Sequence, residues 1–170
     1  MSHLAVPRKG WENEHLATFL LSRIAFVASP ITVADDIGTD LFCALFEPRV
    51  QDGVERLFPL NSFAIQIKSS RDKVPATNKI DYLFALELPY FLGSINRERL
   101  TLTIYSAEYL PILFSHFGKP LGLALIPTEA SQVPFAEYCE RSPDGSCQLQ
   151  LPFVCQISAA DTPDELRAKG

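Results

Sequence analysis

The chain has 170 residues, 47% of them hydrophobic and 11% aromatic, and carries 15 Lys and Arg against 20 Asp and Glu for a net charge of −5. That length suits one domain, or one domain with an appendage, with enough apolar side chains to bury a substantial core, and the acidic balance argues against a strong nonspecific DNA binder, since such proteins are usually basic. No apolar run approaches the ~18 residues that a membrane span needs, and the first residues lack the basic-then-apolar order of a signal peptide, so a cytoplasmic protein with no membrane attachment is expected.

Taken in chain order, Met1 to Lys9 reads as a loose lead. After Gly10, Leu16, Phe19, Leu20, Ile24 and Val27 recur at helical spacing, and Ala17 and Leu21 add a second apolar stripe. Two acids open this helix. Glu12 falls nearer the main stripe, Glu14 on the side of Ala17 and Leu21. An acid in a first turn also suits the helix macrodipole, whatever its role. Ser29-Pro30 ends the helical region, and Ile31 to Ala34 reads as an entering strand. Asp35, Asp36 and Gly38 form a turn in which acids are common for conformational reasons.

Leu41 to Phe46 is a buried strand by composition, closed by Glu47-Pro48. Arg49 to Asn61 reads as a polar loop around Asp52-Gly53, long enough to hang over a neighbouring site. Phe63 to Lys68 is a second strand, and Lys79 to Leu88 has helical periodicity until Pro89 stops it. Tyr90 to Ile95 and Leu100 to Tyr105 are strands joined by a charged turn. Glu108 to Phe117 is a helix despite Pro111, capped by Gly118. This α-β-β-β-α-β succession predicts a mixed α/β fold with helices covering a sheet. Residues 1–120 would form the core. Residues 121–158 would add a β-rich extension of the same domain, read as an extra hairpin, and 159–170 a flexible tail.

The chemistry concentrates between Asp40 and Lys68. Side chains alternate between the faces of a strand, so Gln66 and Lys68 share one face while Ile65 and Ile67 share the other. A lysine inside an apolar strand is expensive without a partner charge, and Asp40, at the mouth of the neighbouring strand, is placed to supply one. If the two strands pair as an antiparallel hairpin, a carboxylate, a carboxamide and an ammonium converge at one end. Oxygen ligands of this kind suit a hard cation such as Mg²⁺, which polarises a phosphodiester and readies a water for attack.

The order of Glu14 on the first helix, Asp36-Ile37-Gly38-Thr39-Asp40, and Gln66-Ile67-Lys68-Ser69-Ser70 resembles the PD-(D/E)xK nuclease superfamily. It is most similar to the branch of Mrr-like enzymes and the DUF4365 group, in which Gln replaces the usual second acid. The runs Leu88-Pro89-Tyr90-Phe91-Leu92-Gly93 and Ile104-Tyr105-Ser106 fit the same pattern. The resemblance covers roughly residues 10 to 117. It implies a restriction-endonuclease-like mixed β-sheet flanked by helices and a Mg²⁺-dependent (or Mn²⁺-dependent) DNA endonuclease. Asp40, Gln66 and Glu14 would be the metal ligands, with Gln66 acting through its side-chain oxygen, and Lys68 would orient the attacking water and stabilise the charge that develops. Family spacing favours Glu14 over Glu12. Gln in place of an acid removes one negative ligand, so weaker metal binding is expected.

Residues 1–119 hold 12 basic against 13 acidic side chains and residues 120–170 hold 3 against 7, so the acidity is mainly C-terminal. Lys68, Arg71, Lys73, Lys79 and, further along, Arg97 then leave room for a local basic lip facing a phosphate backbone. Cys139, Cys147 and Cys155 are spaced by eight without the paired pattern of a zinc site, and read as ordinary reduced cysteines. His15 and His116 read as surface helical residues. Phosphate-loop, dinucleotide, zinc-protease and serine-hydrolase motifs are absent. The alternative to a nuclease is the same fold kept as a catalytically inactive binding or interaction module. A homodimer or another protein partner is left open.

Overall fold

A computed structural model describes residues 5–30 and 38–169, the side chains of residues 5–9 excepted. The expected entering strand at 31–34 and the turn acids Asp35 and Asp36 lie outside the described residues. Helix α1 (Ala5–Leu21) is followed by strands β1 (Ala25–Ala28), β2 (Leu41–Gln51), β3 (Val54–Lys68) and β4 (Val74–Pro75). A 3₁₀ turn at Thr77–Lys79 leads into α2 (Ile80–Ala85), β5 (Tyr90–Asn96), β6 (Thr101–Ser106) and α3 (Leu110–Phe117). The remainder is β7 (Gly122–Pro127), β8 (Cys139–Arg141), β9 (Ser146–Leu151), β10 (Phe153–Ser158) and α4 (Pro163–Arg167). The fold is mixed α/β, as expected, with a six-stranded sheet in the order β1-β2-β3-β5-β6-β10 and a four-stranded sheet in the order β4-β7-β9-β8.

The first sheet is antiparallel except where β3 runs parallel to β5. The β3–β5 crossover passes through α2, as a parallel connection requires. Alternation along β3 divides the core into two parts. Ile65 and Ile67 pack with Leu41, Cys43, Leu102 and the α1 residues Ala17, Leu20 and Leu21. On the opposite face Ala64, Leu92 and Tyr90 pack against α2, α3 and the second sheet. Gln66 therefore lies among apolar neighbours and not on an open polar face. Among the described residues, no helix is long and apolar enough to cross a membrane.

Five expectations are corrected. The first helix starts at Ala5 and stops at Leu21. Beyond it Ser22 Oγ donates to the Phe19 carbonyl, and Ala25–Ala28 pairs with β2 in place of continuing the helix. Phe26 and Val27 suit a strand better than a helix end. The polar loop at 49–61 is instead the outer half of the β2–β3 hairpin, paired up to Gln51↔Val54. Asp52 (φ 55°) and Gly53 (φ 76°) both take positive φ, the two-residue turn whose twist matches the flanking strands. This turn lies at the far end of the strand pair from Asp40, so it cannot cover that end.

Residues 121–158 are not an added hairpin. β7, β8 and β9 build the second sheet with β4, while β10 extends the first sheet beside β6. The end of the chain is not frayed either. Thr162 and Glu165 form a reciprocal capping box at the start of α4, and Leu166, 6% exposed, joins the core beneath α1. The expected helix at 108–117 is present as α3, with Pro111 in its first turn and Gly118 beyond its end. The helix expected at 79–88 is shorter, Ile80–Ala85.

Candidate functional site

Register places the site. Leu41 faces Ile65 across the β2–β3 ladder, so Asp40 stands one step on, beside Gln66. Its backbone N–H donates to the Ile65 carbonyl at 3.1 Å, and its Oδ2 accepts the Ile67 N–H at 2.5 Å. The carboxylate is thus held against the strand segment that carries Gln66 and Lys68.

Two tyrosines pin the loop that delivers Asp40. Tyr90 donates to the Gly38 carbonyl at 2.8 Å, and the Tyr82 hydroxyl bonds Thr39 Oγ1 at 2.7 Å. Gly38 has φ 107°, and a Cβ there would come within 2.8 Å of the Tyr82 ring, so backbone conformation and packing both select glycine.

Glu14, an exposed residue of α1, lies within electrostatic reach of Asp40. Burial raises its pKa above the ordinary value, the negative charge of Asp40 raises it further, and His15 partly offsets both. Glu12 is committed elsewhere: it forms an ion pair with Arg97 at the end of β5. His15 is exposed on the outer face of α1.

Gln66 is 1% exposed. Its Oε1 is placed 3.1 Å from the Tyr90 hydroxyl, and its Nε2 has no partner among the described residues. A phenol has one proton and cannot donate to both Gly38 O and Gln66. The Gly38 carbonyl can only accept. Both bonds are satisfied when the carboxamide is turned by half a rotation, so that its N–H₂ donates to Tyr90. The carboxamide oxygen then occupies the buried position that has no partner among the described residues.

Among the described residues no three His, Cys, Asp or Glu side chains gather at one point, so the candidate donor set is two carboxylates and one carboxamide. Those oxygens fit Mg²⁺ or Mn²⁺ in kind, and their low combined charge fits the weak binding expected. Lys68, half-buried at the end of β3, opens onto a cleft of about 640 Å³. Asp40, Gln66 and Lys68 thus share one end of the β2–β3 strand pair, with Glu14 within electrostatic reach of Asp40.

Sequence reasoning missed the tyrosines. Tyr90 enters it only within the Leu88–Gly93 run, and nothing local to Tyr82 points at Thr39, 43 positions away. The four cysteines are free thiols, as expected. Burial pushes the Cys43 thiol up to about 12, well away from a reactive thiolate. No family model matches the chain, and no curated protein or solved structure matches it either.

Proposed function

We propose that this chain is a metal-dependent endonuclease that hydrolyses DNA phosphodiesters, the activity implied by its resemblance to the PD-(D/E)xK superfamily, and that it works in the cytoplasm. The observation that carries the reading is the anchoring of Asp40 on the Gln66-Ile67-Lys68 segment through the Ile67 amide, with Glu14 near enough for Asp40 to raise its pKa. Like charges drawn together beside a buried carboxamide favour a cation between them.

Asp40, Gln66 and Glu14 would hold Mg²⁺, which when bound supplies Lewis-acid polarisation of the phosphodiester and a more acidic water. The chain's own groups account for the rest. Asp40 is oriented by a backbone donor and needs no rearrangement to bind. Lys68 orients the attacking water and balances negative charge as the new P–O bond forms and the old one breaks. The proton that the water releases passes to bulk solvent, since Glu14 would be held unprotonated as a ligand.

The test is nicking of supercoiled plasmid with Mg²⁺ or Mn²⁺ and with EDTA. The parent nicks only with metal. Lys68→Ala and Asp40→Asn lower the rate by about 10²–10³, the usual size for removing one group preorganised toward a transition state. Equal nicking by parent and variants would remove the site assignment. A nuclease-fold binding module is the second reading. The net charge of −5 and the acidic C-terminal third favour it, and it predicts no metal response and no cleavage.

A further inference from the structure

We propose that the apolar face of the outer β2–β3 hairpin is the interface of a homodimer, in which two copies pack this face together about a twofold axis. The outer hairpin has no neighbour in the sheet, because β1 pairs with β2 only as far as Leu45 and β5 pairs with β3 only from Ala64 onward. Strand alternation sorts its side chains. Phe46, Pro48 and Val50 share one face with their cross-strand partners Pro59, Leu57 and Glu55. Glu47, Arg49 and Arg56 take the other face, where Arg49 pairs with Glu47 and lies over the Phe58 ring.

One apolar and one charged face is the pattern of antiparallel strands that bury one side. Among the described residues nothing covers that side: Phe46, Val50 and Leu57 are 39%, 77% and 69% exposed. Phe26 on β1, also exposed, extends the patch. It pairs with Ala44, and the bulge beyond that rung adds its extra residue to β3, so Ala44 and Phe46 stay on one face. A two-stranded ribbon is marginally stable alone in water, so a cover on this face would stabilise it.

The cover comes from above the face and not along an edge. Gln51 and Val54 flank the two-residue turn and exchange hydrogen bonds, and the rungs alternate from there. Pro48 and Pro59 therefore fall on rungs whose amides point outward, one on each edge of the hairpin. The missing donors blunt both edges against strand addition.

A second copy fits the face that remains. Its single charge, Glu55, lies beside the turn, so the face offers little to a charged partner and matches itself, as a twofold interface requires. Phe26, Phe46, Val50 and Leu57 together expose roughly 500 Å², at the upper end of what a monomer leaves in one patch. With Ala44, Pro48 and Pro59 the area is about 700 Å² per copy, or about 1,400 Å² for the pair, within the span of specific interfaces. Glu47, Arg49 and Arg56 would remain in water on the outer surfaces of the dimer.

The test is sedimentation velocity of the full chain at micromolar to 100 μM concentrations. The parent should pass from monomer to dimer and no further. Leu57→Glu and Val50→Glu, both surface changes, should each raise the dimer dissociation constant by about tenfold or more, because each buries a charge in the apolar face. Both should keep the parent's circular dichroism. Leu57→Met should dimerise like the parent, and Arg56→Gln and Trp11→Ser, on the opposite face and on α1, should change nothing.

A parent that stays monomeric at 100 μM would overturn the proposal, as would a dimer that Leu57→Glu and Val50→Glu leave intact. A dimer lost in Trp11→Ser would assign the interface to α1 and overturn it too. Growth past the dimer would do the same, because a twofold interface closes. A monomeric parent that floats with phosphatidylcholine vesicles, and ceases to in Leu57→Glu, would reassign the face to a lipid surface. None of these outcomes bears on the nuclease reading, which plasmid nicking tests separately.

Discussion

Asp40 Oδ2 accepts the backbone N–H of Ile67 at 2.5 Å, so the carboxylate at the mouth of β2 is oriented by the very strand that presents Gln66 and Lys68. The same bond separates structural from metal-binding roles in a melt. Asp40→Asn keeps an oxygen for Ile67, and it should melt near the parent in EDTA yet gain nothing from Mg²⁺. Asp40→Ala removes the acceptor, and it should lose about 1–3 kcal/mol even in EDTA. The parent at a Mg²⁺ concentration of tenfold Kd should gain about 1.4 kcal/mol by mass action. A parent that does not respond to metal would favour the binding-module reading.

Gln66→Glu tests the orientation of the carboxamide. It puts a carboxylate in a buried position beside Asp40 on the neighbouring strand. In EDTA at neutral pH this should cost several kcal/mol, because a buried charge without a partner is among the most expensive substitutions. Millimolar Mg²⁺ should recover most of the loss, as should acid pH. Urea unfolding with and without metal reads both effects. A loss that neither metal nor acid recovers would show that no cation approaches this position.

Glu14 carries a pH dependence of definite sign. An acid whose pKa is raised in the fold holds its proton more tightly folded than unfolded. Its contribution therefore becomes unfavourable as pH rises from its ordinary value of 4.5 through the raised value. Glu14→Gln should raise Tm at pH 7 relative to the parent and have little effect near pH 4. Metal binding should strengthen across the same pH range as Glu14 loses its proton. Melts of the parent and Glu14→Gln at several pH values, with and without Mg²⁺, provide the check. A Glu14→Gln curve parallel to the parent's would show that Asp40 does not act on this residue.

The end of the chain should contribute measurably to stability. Leu166→Ala removes a buried side chain from the α1 side of the core and should cost about 2–5 kcal/mol. Thr162→Ala breaks the capping box of α4 and should cost about 1 kcal/mol. Arg23 fastens the same segment, donating to the carbonyls of Ser158 and Asp161 at 2.6 Å each. Urea unfolding of the two variants measures these losses, and a frayed tail would give none.

The sequence by itself determined what depends on residues close together in the chain. Alternation alone assigned Ile65 and Ile67 to one face of β3 and Gln66 and Lys68 to the other. The second apolar stripe, Ala17 and Leu21, with Leu20 from the main one, marks the buried side of α1, whereas Phe19 of the main stripe is exposed and α2 ends at Ala85, before Pro89. Such features have periods of two or 3.6 residues, so they are complete within a few turns or rungs.

Tertiary structure decided everything that depends on a distant partner. Glu12 and Glu14 differ in a helix considered alone only by the stripe they adjoin; Arg97, 85 positions away, engages Glu12, and Glu14 is within electrostatic reach of Asp40. Gln66 looks like a polar-face residue until Tyr90 and the second core bury it. β10 and α4 carry weak local signals, and they are ordered because β6 offers an edge and α1 an apolar face. Register at the β2–β3 ladder joined these choices, because a one-residue slip would have turned Gln66 and Lys68 to the face of α1 and parted them from Asp40.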